Sequence, residues 1–225
     1  MRKIVFIISL CGLLTSSLFS QRSFLGLSFG ASLPSEEFAK KSLQEDGGYA
    51  LPGFVIEFSG AYIFDYYFGI AGTFTFSANS PDSEQLKQDL IDNITGPIPP
   101  EIDDVIFNHG TWMYSNLMAG PFLTIPVAFM NLDFRAVAGM SFLLSPPWEL
   151  TVTSGDETYF QTRHGKTVSF AYMLGTGIRF NMNNNYAIRV SADYFHSKPT
   201  LTVDQDSAVG GATGKSTYDM SVGTV

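Results

Sequence analysis

Thiols, charge and long apolar runs are all scarce in this chain, and each scarcity excludes something. Its single cysteine, Cys11, lies in a stretch that reads as a cleaved leader. The mature chain therefore has no means of forming a disulfide, a thiolate metal site or a cysteine nucleophile. Charged residues are 15% of the total, below the ~25% usual in soluble domains, so much of the exterior is not built to meet water. The 13 basic residues are outnumbered by 21 acidic ones. That balance excludes nucleic acid as a partner, because phosphate binding needs the opposite sign. No apolar run reaches the ~20 residues of a spanning helix.

The leader, residues 1–20, has Arg2 and Lys3 at its charged end, an apolar stretch over 4–14, and a small polar exit over 15–20. This is the pattern of a secretory signal peptide, with cleavage expected before Gln21. Its apolar part is about half the length of a membrane anchor. Leu10, bulky and just before Cys11, argues against a lipoprotein. Without the leader, 11 basic residues face 21 acidic ones, a net charge of −10. Residues 21–225 suffice for one domain with sizeable loops.

What the chain does have is two-residue alternation, segment after segment. The first strand, 23–33, sends Leu25, Leu27, Phe29, Ala31 and Leu33 to one face and Phe24, Gly26, Ser28, Gly30 and Ser32 to the other. The second, 54–64, separates Phe54, Ile56, Phe58 and Tyr62 from Glu57, Ser59 and Ala61, and Asp65-Tyr66 turns it into the third, 68–77. A less regular fourth covers 111–125. The fifth spans 132–142, the sixth 168–180, the seventh 187–194, and an eighth begins near Thr217 with Tyr218, Met220 and Val222 set outward. Eight strands of ~10 residues match the length that crosses a bilayer at a tilt. Links after strands two, four and six are short and the others long, as in outer-membrane barrels.

A soluble barrel also alternates, so the content of the polar face decides. Here that face is mostly Gly, Ala, Ser and Thr rather than Lys, Glu and Gln. Small side chains suit the interior of a narrow barrel. The fold expected is all-β: an eight-stranded, antiparallel, up-and-down transmembrane β-barrel in a bacterial outer membrane. A soluble lipocalin-like barrel is the alternative.

The inward charges expected are Glu57, Asp133, Arg135, Arg179, Arg189, Asp193 and Asp219. Arg179 and Arg189 flank the Asn-rich turn 181–185 at almost equal distances, so they fall side by side across a hairpin. Two guanidinium groups so placed need carboxylates between them, and Asp133 or Asp193 can supply bidentate partners. A narrow barrel favours a salt-bridge plug over a charged pore.

The long loops hold most of the acids. Ser35-Glu36-Glu37-Phe38 reads as a short helix capped by Ser35. Residues 80–84, Ser-Pro-Asp-Ser-Glu, open a second helix with an apolar stripe of Leu86, Leu90, Ile91 and Ile94, folding back onto its own barrel. Glu101, Asp103 and Asp104, and Asp204 with Asp206, fit no calcium-loop spacing and read as solvated surface. His109, His164 and His196 are separate surface histidines. Ser197 after His196 hints at a lipid hydrolase, but no nucleophile turn accompanies it. Trp112, Tyr114, Trp148, Tyr172 and Tyr194 on the loop side, with Tyr62, Tyr66, Tyr67, Phe129 and Tyr186 on the turn side, suggest two interfacial aromatic girdles.

With Asn116-Leu117-Met118-Ala119-Gly120-Pro121 and then Ile125-Pro126 on the fourth strand, the chain resembles the small OmpA/OmpX-like outer-membrane barrels, and more closely the PorT-like barrel-domain family. The resemblance spans nearly the whole mature chain as architecture. It implies an integral outer-membrane protein without catalytic, cofactor or metal sites, whose partners are membrane lipid, lipopolysaccharide and the barrel insertion machinery. Such barrels usually end on an aromatic residue, whereas this one stops at Ser221-Val222-Gly223-Thr224-Val225, which reads as an eighth strand cut short. The function expected is a structural or interaction role in the cell envelope, with a filled lumen and acidic outer loops. A small-solute channel and a lipid-modifying enzyme are the alternatives.

Overall fold

The computed structural model describes residues 23–42, 47–92, 104–154, 157–183, 185–207 and 213–224. The expected leader, Ile94, Glu101 and Asp103 fall outside those residues, and the side chains of Asp104, His164, Asp204 and Asp206 are likewise undescribed.

Alternating sequence becomes antiparallel strand almost throughout. The elements in order are β1 (Phe24–Ser32), β2 (Pro34–Ser35), helix α1 (Glu36–Ala39), β3 (Gly53–Ile63), β4 (Phe68–Asn79), helix α2 (Ser83–Asp92), β5 (Asp104–His109), β6 (Trp112–Val127), β7 (Met130–Leu144), β8 (Trp148–Ser154), β9 (Glu157–Asn181), β10 (Ala187–Ser197), β11 (Thr200–Ser207), β12 (Thr213–Asp219) and β13 (Val222–Thr224). No helix among the described residues is long and apolar enough to cross a membrane.

Pairing runs β1-β3-β4-β6-β7-β9-β10-β13-β2. The two ends of that path, β1 and β2, are consecutive in the chain with Leu33 alone between them. Six of the eight expected strands appear within a few residues of their expected limits, and the sixth begins eleven residues earlier than expected. The eighth is divided: Thr217 to Asp219 belong to β12, and only β13 joins the main path, against Phe195–Ser197 of β10. Met220 and Val222, expected outward, are buried.

A second set of pairs branches from the upper half of β9. That strand is 25 residues long. Its Glu157–Arg163 segment pairs with β8, and Gln161–Gly165 with β11. β5 joins β8 and β12 joins β11, making the order β5-β8-β9-β11-β12. Stretches expected to be loops are therefore strands. β-branched threonines and valines favour the extended backbone, as in Leu150-Thr151-Val152-Thr153 and Leu201-Thr202-Val203.

The short turns are held locally. Asn183 Oδ1 accepts from the amides of Asn185 and Tyr186, both at 2.8 Å. Helix α2 is capped by Asp82, whose Oδ1 receives the Gln85 amide at 3.2 Å. It packs on the first long loop, with Leu86 buried and Asp89 accepting from Tyr49 Oη. Ser35 does sit at the N-cap of α1, yet it makes no capping bond; its Oγ is buried and unpartnered.

Burial is inverted relative to a soluble protein. Leu25 is 75% exposed, Phe29 73%, Phe170 69% and Val190 65%. Phe58, Phe74 and Phe134 are also exposed, while Glu57, Asp133, Arg135, Thr75 and Asn116 are buried. The inner face has an apolar cluster at the loop end, where Phe38, Trp112, Tyr114 and Phe195 pack together. This corrects the loop-side girdle. Trp112, Tyr114 and Trp148 are buried, because Trp112 and Tyr114 share inward parity with Asn116. Trp112 Nε1 donates to Gly48 O at 2.8 Å and Tyr114 Oη bonds Ser32 Oγ at 2.8 Å. On the turn side, Tyr62, Tyr66, Tyr67, Phe129 and Tyr186 are all exposed.

Candidate functional site: the interior charge network

Strand parity carries the charges inward. Glu57 on β3, Asp133 and Arg135 on β7, Arg179 on β9, and Arg189 and Asp193 on β10 all project to the inner face, where they form two linked groups. In the first, Arg135 makes a two-pronged bond to Glu57, Nη1 to Oε1 at 2.9 Å and Nη2 to Oε2 at 2.6 Å, and its Nε reaches Asp193 Oδ1 at 2.8 Å. Arg189 lies 3.7 Å from Glu57 Oε1, and its Nε has no partner among the described residues.

In the second group, Arg179 bonds both oxygens of Asp133, at 2.9 and 3.1 Å. Thr124 Oγ1 donates to Asp133 Oδ1 at 2.7 Å and accepts from Arg179 Nη2 at 3.2 Å. Arg179 and Arg189 are directly opposite in the β9–β10 register. Their repulsion is relieved by separate carboxylates and by a shared aromatic face. The Phe24 ring lies 4.5 Å from the Arg179 Cζ and 5.9 Å from that of Arg189, within cation–π range. Phe24 itself packs edge-on against Phe122 at 5.6 Å.

Asp219 is a correction to the expected set. It is exposed on β12 and accepts from Thr200 Oγ1 at 2.7 Å. The two-residue pattern runs unbroken through Tyr218, Met220 and Val222, so nothing in it marks where the chain crosses from one set of pairs to the other. Removing Asp219 leaves three cations against three carboxylates. The buried network is neutral, which is the condition for keeping charges out of water at tolerable cost.

Three contributors carry no charge, and for Phe24 and Gly175 parity gives the inner face without marking them as partners of the charges. Thr124 and Phe24 act as described. Gly175 is the third, since a Cβ there would lie 1.9 Å from Asp193 Oδ1 and 2.9 Å from Arg135 Nε. The space framed by Phe122, Asp133, Arg135, Gly175, Gly177 and Arg189 does not admit a water molecule. An arrangement so filled holds strands in register.

The histidines behave as separate groups. His109 stacks on Phe107. His196 Nδ1 lies 3.0 Å from Glu36 Oε2, and Tyr194 Oη donates to Glu36 Oε1 at 2.6 Å. Ser197 turns the other way, buried, sharing a 2.8 Å bond with Ser169 Oγ. The His196–Ser197 pair thus points to opposite faces of β10. No cluster of metal-ligating side chains occurs among the described residues.

The class that these features define is an all-β, antiparallel, up-and-down sheet with an apolar exterior and a charged, packed interior. No family model matches the chain, and no curated protein matches it either. Among solved structures, it is similar to Ail, the attachment invasion locus protein of Yersinia pestis. That similarity is 15% identity over 90% of this chain and 96% of Ail, with a TM-score of 0.34.

Proposed function

We propose that the protein is an eight-stranded β-barrel integral to a bacterial outer membrane, with a plugged lumen and a structural or interaction role, not an enzymatic one. The observation that carries this reading is the inverted burial. A band with Leu25, Phe29, Phe170 and Val190 exposed while Glu57, Asp133 and Arg135 are enclosed is stable only where hydrocarbon is the solvent. Exposed apolar patches of this extent are foreign to soluble monomers, and in lipid the backbone must be paired all round. The joining of β13 to β2 supports closure.

The interaction role rests on β9. At ~3.3 Å per residue, 25 residues extend about 80 Å, well beyond a ~30 Å hydrocarbon core even when tilted. The upper half, with β5, β8, β11 and β12, then stands above the membrane as a sheet whose outer strands, β5 and β12, have one partner each among the described residues. Edges of this kind pair with other chains.

Cell fractionation with detergent extraction tests the reading, combined with gel migration before and after boiling. Recovery in the outer-membrane fraction with a heat-dependent shift is expected. Recovery in the soluble periplasmic fraction without detergent would overturn it.

A further inference from the structure

Helix α1 is folded over the wall at β13 and gripped on both faces. On the outer face, Glu36 lies across Gly223, where a Cβ would come 3.2 Å from Glu36 Cδ. Its Oε1 accepts from Tyr194 Oη at 2.6 Å, and its Oε2 lies 3.0 Å from His196 Nδ1. On the inner face, Phe38 is fully buried, edge-on to Trp112 and Tyr114 at 5.5 and 6.0 Å. Between the two, the Phe38 amide donates to Ser221 O at 3.1 Å and the Ser221 amide donates to the Glu37 carboxylate.

The same loop carries three unfavourable features. Glu36 has φ 57° and Tyr49 has φ 52°, a left-handed backbone that residues with a Cβ avoid. Such residues persist only where their surroundings over-determine them. Ser35 Oγ, next to Glu36, is buried with no partner among the described residues. Leaving the wall relaxes the backbone at Glu36 and returns Ser35 Oγ to water. Staying requires the grip.

We propose that α1 is a sprung stopper in the loop-side mouth of the barrel: the Glu36 carboxylate latches it to Tyr194 and His196, and loss of the latch releases Phe38 from the mouth. A mouth exists only on the barrel reading above. With α1 seated, Phe38 covers Trp112 and Tyr114, and Phe195 stacks on Tyr114 at 5.6 Å. With α1 released, those three rings line an outward-open aromatic recess. Bonds to a carboxylate are stronger than neutral ones, so the latch has the strength to oppose the backbone strain.

The Trp112 indole N–H reports the state of the stopper. It donates to Gly48 O at 2.8 Å, and the Gly48 amide is itself bonded to Glu37 O at 2.9 Å. Hydrogen exchange at this indole is followed by NMR on the full mature chain in detergent micelles, with the Trp148 indole as internal control. Glu36→Ala should speed exchange at Trp112 by about tenfold or more, as expected for lost bonds to a charged group, and leave Trp148 unchanged. Glu36→Gly also removes the latch but relieves the left-handed backbone, so its exchange should be roughly threefold slower than that of Glu36→Ala. Tyr194→Phe combined with His196→Leu removes both donors without altering α1, and should match Glu36→Ala even if changes at 36 impair folding. Unchanged exchange at Trp112 on loss of the donors would overturn the latch. Equal rates for Glu36→Ala and Glu36→Gly would overturn the spring, and equal acceleration at Trp148 would show general loosening instead of a stopper. Failure of the barrel reading appears separately, as protein that stays folded and soluble without detergent.

Discussion

Gly175 stands directly across from Asp193 in the β9–β10 register, and the missing side chain leaves the volume through which Arg135 reaches the Asp193 carboxylate. Neither residue alone accounts for the bond. A methyl group at 175 would overlap Asp193 Oδ1 and force the Arg135–Asp193 pair apart. We predict that Gly175→Ala destabilises the fold by about 3 kcal/mol, the range found when a buried ion pair loses one partner. Gly72→Ala is the control, because a Cβ there meets nothing within 4 Å. Urea unfolding from detergent micelles measures both, and equal midpoints for the two variants would contradict the prediction.

Glu57 is the common partner of Arg135 and Arg189. Glu57→Leu strands two buried guanidinium groups beside the remaining Asp193 and should cost about 3–5 kcal/mol. Replacing Arg135 by leucine as well removes the stranded charge along with its partner. The double variant is expected to be less destabilised than the sum of the single ones, with a coupling of about 1–3 kcal/mol. Additive single effects in a double-mutant cycle would show that the two side chains do not act as a pair.

The packed interior bears on conduction. Phe24 packs against Phe122 with both arginines over its ring, so side chains occupy the turn-side half of the interior. Planar bilayers containing the protein should show no steady single-channel conductance at neutral pH. Phe24→Ala opens that layer and is the variant in which current is expected first. Steady current from the unmodified protein would favour the channel reading instead.

Outside the sheet, Lys41 Nζ donates to Asp82 Oδ2 at 2.6 Å, tying the first long loop to the start of α2. That bond holds the Asp82 carboxyl below its usual 3.8. A carboxyl depressed in the folded state stabilises fully above its unfolded pKa, and the contribution fades as pH falls through the folded value. The tie should therefore hold at pH 5 and weaken progressively below about pH 4. Both side chains are partly exposed, so its worth is under about 1 kcal/mol. Carbon-detected titration of Asp82 checks this: in Lys41→Met the midpoint should move up toward 3.8, and an unmoved midpoint would refute the tie.

Much of this molecule was readable from residue order, and the misses are instructive. Period two assigns each residue of a strand to one face whatever surrounds it. Phe58, Phe74 and Phe134 on the outside, and Glu57 and Arg135 within, follow from parity alone. The opposition of Arg179 and Arg189 follows as well, because a short turn fixes register. Asp219 failed for the same reason: parity persists when a chain leaves one set of pairs and enters another, and β12 to β13 is such a crossing. Trp112 and Tyr114 are missed when a strand-end aromatic is assigned to the interface by position alone, because its parity sets both on the inner face of Asn116.

Local order thus determined the strands, their faces and the sign of what each face carries, because backbone alternation needs no distant partner. Tertiary pairing alone decided which carboxylate serves which arginine, why Gly175 must be a glycine, that Thr124 and Phe24 join the charges, and that β9 is shared by two sets of strands. Those outcomes depend on where strands far apart in sequence are brought level with each other, and that alignment arises only when the sheet curls and its rows of side chains meet across the interior.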